Sequence, residues 1–425
     1  MRIANFEHTG LERVDAWLLA NHEQDIGLAD LKECLKTVNV SFVLEGINRV
    51  HSTLICELKD SYVQQSQRYV SHGTDQFDES DLPPGEKERG QALIRQAGRL
   101  YAAMSEDGSG IPMEDARYIL PLAAKTNLSV AMSADKLADL FALCNGRPLM
   151  EPVREAMEPL LPASLYQRLS SAPPGGVRES LTAVFYQDAL DRLTPEQPMI
   201  LLQAFKDLNL KAGLGALTST RAQAPSEVLA AWGDGAAEKA KAVAQRVMSY
   251  GHTAIAEQAR TTFGMMCSLV TYHQQIRHRL SSNHREDLRA LAGNGDRPAI
   301  VPASVQRSRF KEDFLALSRS FKAFRLQILD RLGLDRALPF LLNCDQIKLI
   351  YSANARADAA VLSERICMNA QWEIRDLCLR KLTLLKDLSE PLYSKAAPAC
   401  VYGPCPEGKK SCGSQDEMRA RFRNC

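Results

Sequence analysis

The sequence predicts a helix-rich α+β protein of more than one domain, and three observations lead there. The chain has 425 residues, more than one ordinary hydrophobic core holds, which suits two to three domains. Most of it carries apolar residues at three- and four-residue spacing, as amphipathic helices do, while short segments such as Asn39–Glu45 alternate like strands. The run Ser170–Gly176, SSAPPGG, is the strongest linker signal in the chain.

Composition narrows the class. A hydrophobic content of 45% and a charged content of 24% are those of a soluble globular protein. The net charge of +1 creates no global field that would recruit nucleic acid or an acidic membrane, so neither partner is expected. No run approaches the ~20 apolar residues of a membrane helix. The first thirty residues carry charges throughout and lack the apolar centre of a signal peptide. Seven of the eleven cysteines (Cys34, Cys56, Cys144, Cys267, Cys344, Cys367 and Cys378) stand singly in apolar or helical contexts. That is the usage of reduced, buried thiols, and a cytoplasmic protein is expected.

In chain order, residues 1–40 read as two helical pieces, LERVDAWLLANHE and GLADLKECLKTV. Asn39–Glu45 reads as a strand, Gly46–Leu58 as a helix and Gly73–Gly85 as a polar connection. Glu86–Met104 reads as an amphipathic helix weakened by Gly90 and Gly98. Residues 177–222 read as two or three helical pieces, and Glu227–Trp232, EVLAAW, as a short apolar strand. Asp234 can cap a helix Ala236–Tyr250 that Gly251 stops. Arg309–Leu332 reads as a long basic amphipathic helix. A last helix runs to Leu388, with Trp372 and Ile374 read as core rather than cofactor contacts.

Two stretches carry chemistry. Tyr272–Arg289, YHQQIRHRLSSNHREDLR, places Arg277, His278 and Arg279 in succession, with Gln274 one helical turn earlier. On a helix such neighbours fan out by ~100° each and cannot share a face. Residue types allow two readings: a solvated helix end whose cations suit the dipole, or an anion clamp, because guanidinium forks match phosphate oxygens. Val63–Val70, VQQSQRYV, adds Gln64, Ser66, Arg68 and Tyr69, polar groups suited to a nucleotide.

Together these stretches resemble the flavin-dependent thymidylate synthases, whose signature runs Arg-His-Arg, then Gln or Glu, Ser and Arg-Tyr. The chain resembles that family twice, over 1–170 and over 226–395, with 171–225 between the copies and a Cys-containing tail at 396–425. Copy 1 keeps Glu45-Gly46-Ile47 with Arg49, the QQSQRYV segment, and Arg117 before an aliphatic-Leu-Pro turn. It has Glu57, Leu58 and Lys59 where Arg-His-Arg should stand. Ser133-Ala134-Asp135 replaces the family's Asn-x-Arg, and Leu143-Cys144 its Leu-Arg, with Arg147 three residues on. Copy 2 keeps Gly251-His252-Thr253, the intact Arg-His-Arg, Asn354-Ala355-Arg356, Arg365 and Ala370–Arg375. It has Arg285 and Asp287 at the acidic and Ser positions, where Arg289 alone survives, and Arg336 is at the wrong spacing from its turn.

The resemblance implies two tandem mixed α/β domains with complementary halves. Gln64, Ser66, Arg68 and Arg117, with Gln274 and Arg289 from copy 2, would bind the nucleotide. His252, Arg277, His278, Arg279, Asn354 and Arg356 would hold the flavin. Arg365 would be the catalytic group, a guanidinium that stabilises negative charge developing on the pyrimidine. The implied reaction is reductive methylation of dUMP to dTMP, with methylenetetrahydrofolate as carbon donor, FAD as hydride carrier and NADPH as reductant. The implied assembly is a homodimer imitating the family's homotetramer. A related flavin enzyme acting on another pyrimidine nucleotide is one alternative. A non-catalytic nucleotide- or flavin-binding paralogue is another, favoured by the losses at Asp287, Glu57–Lys59 and Cys144. In the tail, Cys400, Cys405, Cys412 and Cys425 match no standard zinc spacing, and either a zinc site from three or four of them or a metal-free tail fits.

Overall fold

A computed structural model describes residues 1–23, 26–67, 77, 81–174 and 184–423. The chain divides into two compact units that interleave in sequence. The first is Met1–Leu181, Ser268–Arg277 and Glu286–Ile347, and the second is Thr182–Cys267, His278–Arg285 and Lys348–Cys425. Most of the Gly73–Gly85 connection and the linker's Gly175 and Gly176 lie outside the described residues. No helix among the described residues is long and apolar enough to cross a membrane.

The first unit holds strands β1 (Arg2–His8), β2 (Asn39–Asn48), β3 (Ser61–Gln64) and β4 (Lys125–Ser133), ordered β1-β2-β4-β3 and paired antiparallel. Burial alternates along β4, with Thr126, Leu128, Val130 and Met132 inward, so one face of the sheet is core and the other open. β1 corrects the all-helical reading of residues 1–40. RIANFEH is a short, mostly polar edge strand, and without an apolar face its period carries no signal. Gly46 belongs to β2, not to a helix. The pairing of β2 shifts register between Leu44 and Ile47, and Gly46 sits there at φ +69°, a left-handed conformation that favours glycine. The helix starts only at Arg49, where the Asn48 side chain accepts a hydrogen bond from His51 N, and all eight residues of Arg49–Cys56 are buried.

The same unit contains two helices of 22 residues, Pro84–Ser105 and Lys311–Leu332, packed on one another. Gly90 permits the approach. A Cβ there would lie 2.9 Å from the Phe340 ring and 3.3 Å from that of Phe324, so this glycine serves packing. The two Leu-Pro turns also pair reciprocally. Leu122 N donates to Leu341 O (2.7 Å) and Ala123 N to Pro339 O (2.8 Å), while Asn343 N donates to Leu120 O and Cys344 N to Tyr118 O (both 2.9 Å). Equivalent pieces of the two sequence copies thus face one another within a single compact unit.

The second unit holds β5 (Met199–Ala204), β6 (Arg260–Ser268), β7 (Ser282–Arg285) and β8 (Gln346–Asn354), ordered β5-β6-β8-β7, the order of the first sheet. Leu190, Leu193, Ile200, Met266 and Ile350 form a core cluster. β5 lies in the stretch read as helical only. Conversely, Glu227–Trp232 is part of a helix, Pro225–Trp232, because a six-residue apolar run does not distinguish the two periods and Pro225 favours a helix start. Asp234 is not the cap of Ala236–Ser249: that position is Gly235, with no side-chain bond. Gly251, at φ +85°, does end the helix.

Candidate functional site

In the first unit the helices Arg49–Cys56 and Leu269–Gln275 follow β2 and β6 in the chain and are capped by Asn48 and Ser268. Each carries a buried basic residue: Arg49 is 4% exposed and His273 2%. Arg49 Nη2 lies 3.1 Å from His273 Nδ1, and His273 Nε2 lies 2.7 Å from Thr53 Oγ1, whose hydroxyl donates to Arg49 O. A guanidinium only donates, so Nδ1 accepts and the ring proton sits on Nε2, donated to Thr53. Burial first, then the charges of Arg49, Arg277 and Arg117, hold the His273 pKa well below its ordinary value. Burial, then Arg277 and Arg117, lower that of Arg49 to about 9.

Arg277, at the surface, donates from Nη2 (3.1 Å) and Nε (3.3 Å) to Oε1 of buried Gln64, whose amide in turn donates to Ser52 Oγ at 3.2 Å. Arg117 is half-buried and donates Nε to Glu114 O. Gln64 and Arg277, named from motifs 213 residues apart, are therefore in direct contact. Ser66 is half-buried and near Gln64 in the chain; Arg68 lies outside the described residues. Gln274 is half-buried, its amide 3.4 Å from Val270 O. Arg289 is exposed on the helix Leu288–Ala292, which Asp287 caps by accepting from Arg289 N and Ala290 N. The aspartate at the family's Ser position is thus a helix cap. Glu57, at the degraded Arg-His-Arg of copy 1, accepts from Tyr272 Oη at 2.5 Å.

In the second unit Arg365 Nε donates to His278 Nε2 at 2.8 Å. Burial lowers the Arg365 pKa, offset in part by Glu364 and Cys378. Arg279 is exposed. His252 is exposed at the start of a 3-10 turn, Thr253–Gln258. Arg356 is exposed and pairs with Glu257 at 2.6 Å. Asn354 caps Ala355–Arg365, its oxygen accepting from Ala357 N at 2.9 Å.

Nothing among the described residues supports the zinc expectation. Among the described residues no group of three or more Cys, His, Asp or Glu is arranged to hold a metal. Cys400, Cys405 and Cys412 are close enough to act electrostatically, since burial and then Cys367, Cys405 and Cys412 raise the Cys400 pKa, and among the described residues they form no ligand set. Cys400 is buried, Cys405 half-buried and Cys412 exposed, and Gln415 and Arg419 pin the Cys400 and Gly403 carbonyls. Cys425 lies outside the described residues.

Sequence reasoning missed His273 and took Arg49 only as part of a motif's opening. The available signal was two basic residues in RVHSTLIC, which is otherwise uncharged, and a His one helical turn before Arg277.

These features define a duplicated α+β protein whose first unit gathers basic side chains from both copies. A model of the family described as thymidylate synthase complementing protein matches residues 26–161 and 210–389. The flavin-dependent thymidylate synthase of Geobacter sulfurreducens is 34% identical over 182 residues, 42% of this chain and 78% of that relative. That of Clostridium tetani is 29% identical over 202 residues, 43% of this chain and 80% of that relative. A crystal structure of the Helicobacter pylori enzyme complexed with FAD and dUMP matches at 20% identity and a TM-score of 0.37, over 46% of this chain and 97% of that one. The chain belongs to the flavin-dependent thymidylate synthase family.

Proposed function

We propose that this protein is a flavin-dependent thymidylate synthase that methylates dUMP reductively to dTMP at a site composed from both sequence copies. The observation that carries the reading is the Gln64–Arg277 contact, at 3.1 Å, inside one compact unit. Family membership supplies the reaction class.

In this reading Gln64, Ser66, Arg68 and Arg117 bind the nucleotide, assisted by Gln274, and Arg289 belongs to the reverse, decayed site. Arg277, His278 and Arg279, with His252, Asn354 and Arg356, hold FAD. Two features suit an anionic cofactor and substrate: Arg277 and Arg279 are exposed, and Arg49 buries two guanidinium nitrogens, Nε and Nη1, that have no hydrogen-bond partner among the described residues. FAD, when bound, would supply hydride chemistry, with NADPH as the reductant and methylenetetrahydrofolate as the carbon donor. The chain's own part is to orient and polarise. His278 accepts from Arg365 Nε, which fixes the guanidinium plane so that its terminal nitrogens can meet charge developing on the pyrimidine. The working assembly is a cytoplasmic homodimer in which four copies of the domain imitate a tetramer.

The test is turnover. Purified protein given dUMP, methylenetetrahydrofolate and NADPH should carry a flavin absorption band and form dTMP. A colourless protein that makes no dTMP would be a non-catalytic paralogue. Turnover of UMP or dCMP in place of dUMP would assign a different pyrimidine substrate.

A further inference from the structure

Four thiols of the second unit gather around the turns that precede its last helix. Cys400 is buried, Cys367 and Cys405 are half-buried and Cys412 is exposed, and all four are free. Hydrogen bonds hold the segments that carry them. The Asn369 side-chain amide donates to Lys410 O at 2.9 Å. That bond sets two segments side by side, with Cys367 just before Asn369 and Cys412 just after Lys410. Gln415 Nε2 donates to Cys400 O (3.1 Å) and Gly403 O (2.9 Å), and Arg419 donates to the same two carbonyls. Between these anchors the chain folds in short turns, with Gly408 N donating to Cys405 O, Lys410 N to Glu407 O and Ser411 N to Gly408 O. The thiols also sense one another: burial first, then Cys367, Cys405 and Cys412, raise the Cys400 pKa. Isolated buried thiols are inert, whereas an exposed thiol with others in reach is the arrangement in which thiol–disulfide exchange proceeds.

We propose that Cys367 and Cys412 form a redox modification site, a dithiol that low-molecular-weight disulfides oxidise to a strap tying the tail to the segment that follows Arg365. The exposed Cys412 reacts first. Its thiolate attacks one sulfur of the oxidant and releases one small thiolate. The Cys367 thiolate then attacks the Cys412 sulfur of the mixed disulfide and releases the second. The two protein thiols lose two protons and two electrons, and the oxidant is reduced to two small thiols. Cys400, buried and held protonated, stays out of the exchange. Cys367 lies just past the end of the helix Ala355–Arg365, so the strap closes on the segment that leaves Arg365. The site does not depend on the reaction proposed above.

The experiment titrates reduced, full-length protein with oxidised glutathione, alkylates the remaining thiols and maps a tryptic digest by mass spectrometry. Trypsin separates the candidates: Cys367 falls in peptide 366–375, Cys400 and Cys405 in 396–409 and Cys412 in 411–419. The expected product is lighter by two hydrogens, joins 366–375 to 411–419, and reverts with dithiothreitol. Cys412→Ser should lose that product. Cys367→Ser should stop at the mixed disulfide, with glutathione on 411–419. In the oxidised wild type, amide hydrogen exchange across residues 366–371 should slow roughly 10-fold or more, and it should not slow in Cys412→Ser treated alike. No cross-link overturns the proposal, as does one that joins any other pair of peptides, or thiols that react only after a chelator has removed a metal. A cross-link that leaves exchange at 366–371 unchanged overturns the strap. Should a Ser variant not fold, the wild-type peptide map decides alone. Failure here is distinct from failure of the synthase reading. A protein that forms the cross-link but no dTMP ends only that reading, and one that forms dTMP but no cross-link ends only this site.

Discussion

Replacing Arg277 with Ala separates a ligand-binding role from a structural one. Arg277 is exposed, and its contact with Gln64 consists of two bonds, at 3.1 and 3.3 Å, to one neutral amide oxygen. Such a contact contributes about 1 kcal/mol to stability. For units of this size that lowers the melting temperature by only about 2–4 °C. If the guanidinium instead meets a phosphate, the charge-assisted bonds lost are worth ~1.5–3 kcal/mol, which weakens affinity by roughly 10- to 150-fold. Calorimetric titration with dUMP, flavin content by absorbance and a melting curve read these effects side by side. Gln64→Ala and the double variant complete a cycle whose coupling should be about 1 kcal/mol in stability. Lys59→Ala, on the copy whose Arg-His-Arg is lost, should leave flavin content unchanged. A fall in melting temperature beyond about 8 °C with ligand affinities intact would refute the reasoning, because Arg277 would then be a structural residue.

Three further outcomes follow. Arg365→Ala should depress kcat far more than it raises KM in steady-state turnover, as for a group that acts mainly in the transition state. Lys381→Met should destabilise by about 3–5 kcal/mol in denaturant titration, because it leaves Asp358 charged and buried, with Thr261 its one remaining side-chain partner among the described residues; the Lys381 and Asp358 side chains are 4% and 2% exposed. The pH dependence of stability should report His273. Above its ordinary value of 6.5 neither the folded nor the unfolded state binds the proton; below it the unfolded chain takes a proton that the folded site refuses, so stability falls as pH falls. That slope, up to ~1.4 kcal/mol per pH unit, should be absent between pH 6.5 and about pH 5 in His273→Gln.

The long helices were legible because period alone defines them: Pro84–Ser105 and Lys311–Leu332 lie within two residues of their expected limits, and Trp372–Leu388 ends at the expected Leu388. β2 was legible from its alternation. Illegible were β1, a polar edge, β5, and the helix Pro225–Trp232, whose short apolar run fits either period. Gly90 read as a weakness in its helix because the Phe340 and Phe324 rings it admits come from far along the chain. The units interleave for the same reason. Nothing local in Ser268–Arg277 says that this segment of copy 2 belongs with copy 1. At the site, motif order named Gln64 and Arg277, took Arg49 only as part of a motif's opening and passed over His273, since basic residues read as solvated until their burial is known.

The central claim is that one site is built by residues of both copies, and a crystal structure with dUMP and FAD bound tests it most directly. The account predicts nucleotide atoms within hydrogen-bonding distance of Gln64 from copy 1 and flavin-cofactor atoms within hydrogen-bonding distance of Arg277 from copy 2, in the same site. A nucleotide and a flavin bound at separate sites, with Gln64 touching no nucleotide and Arg277 no flavin, would contradict it.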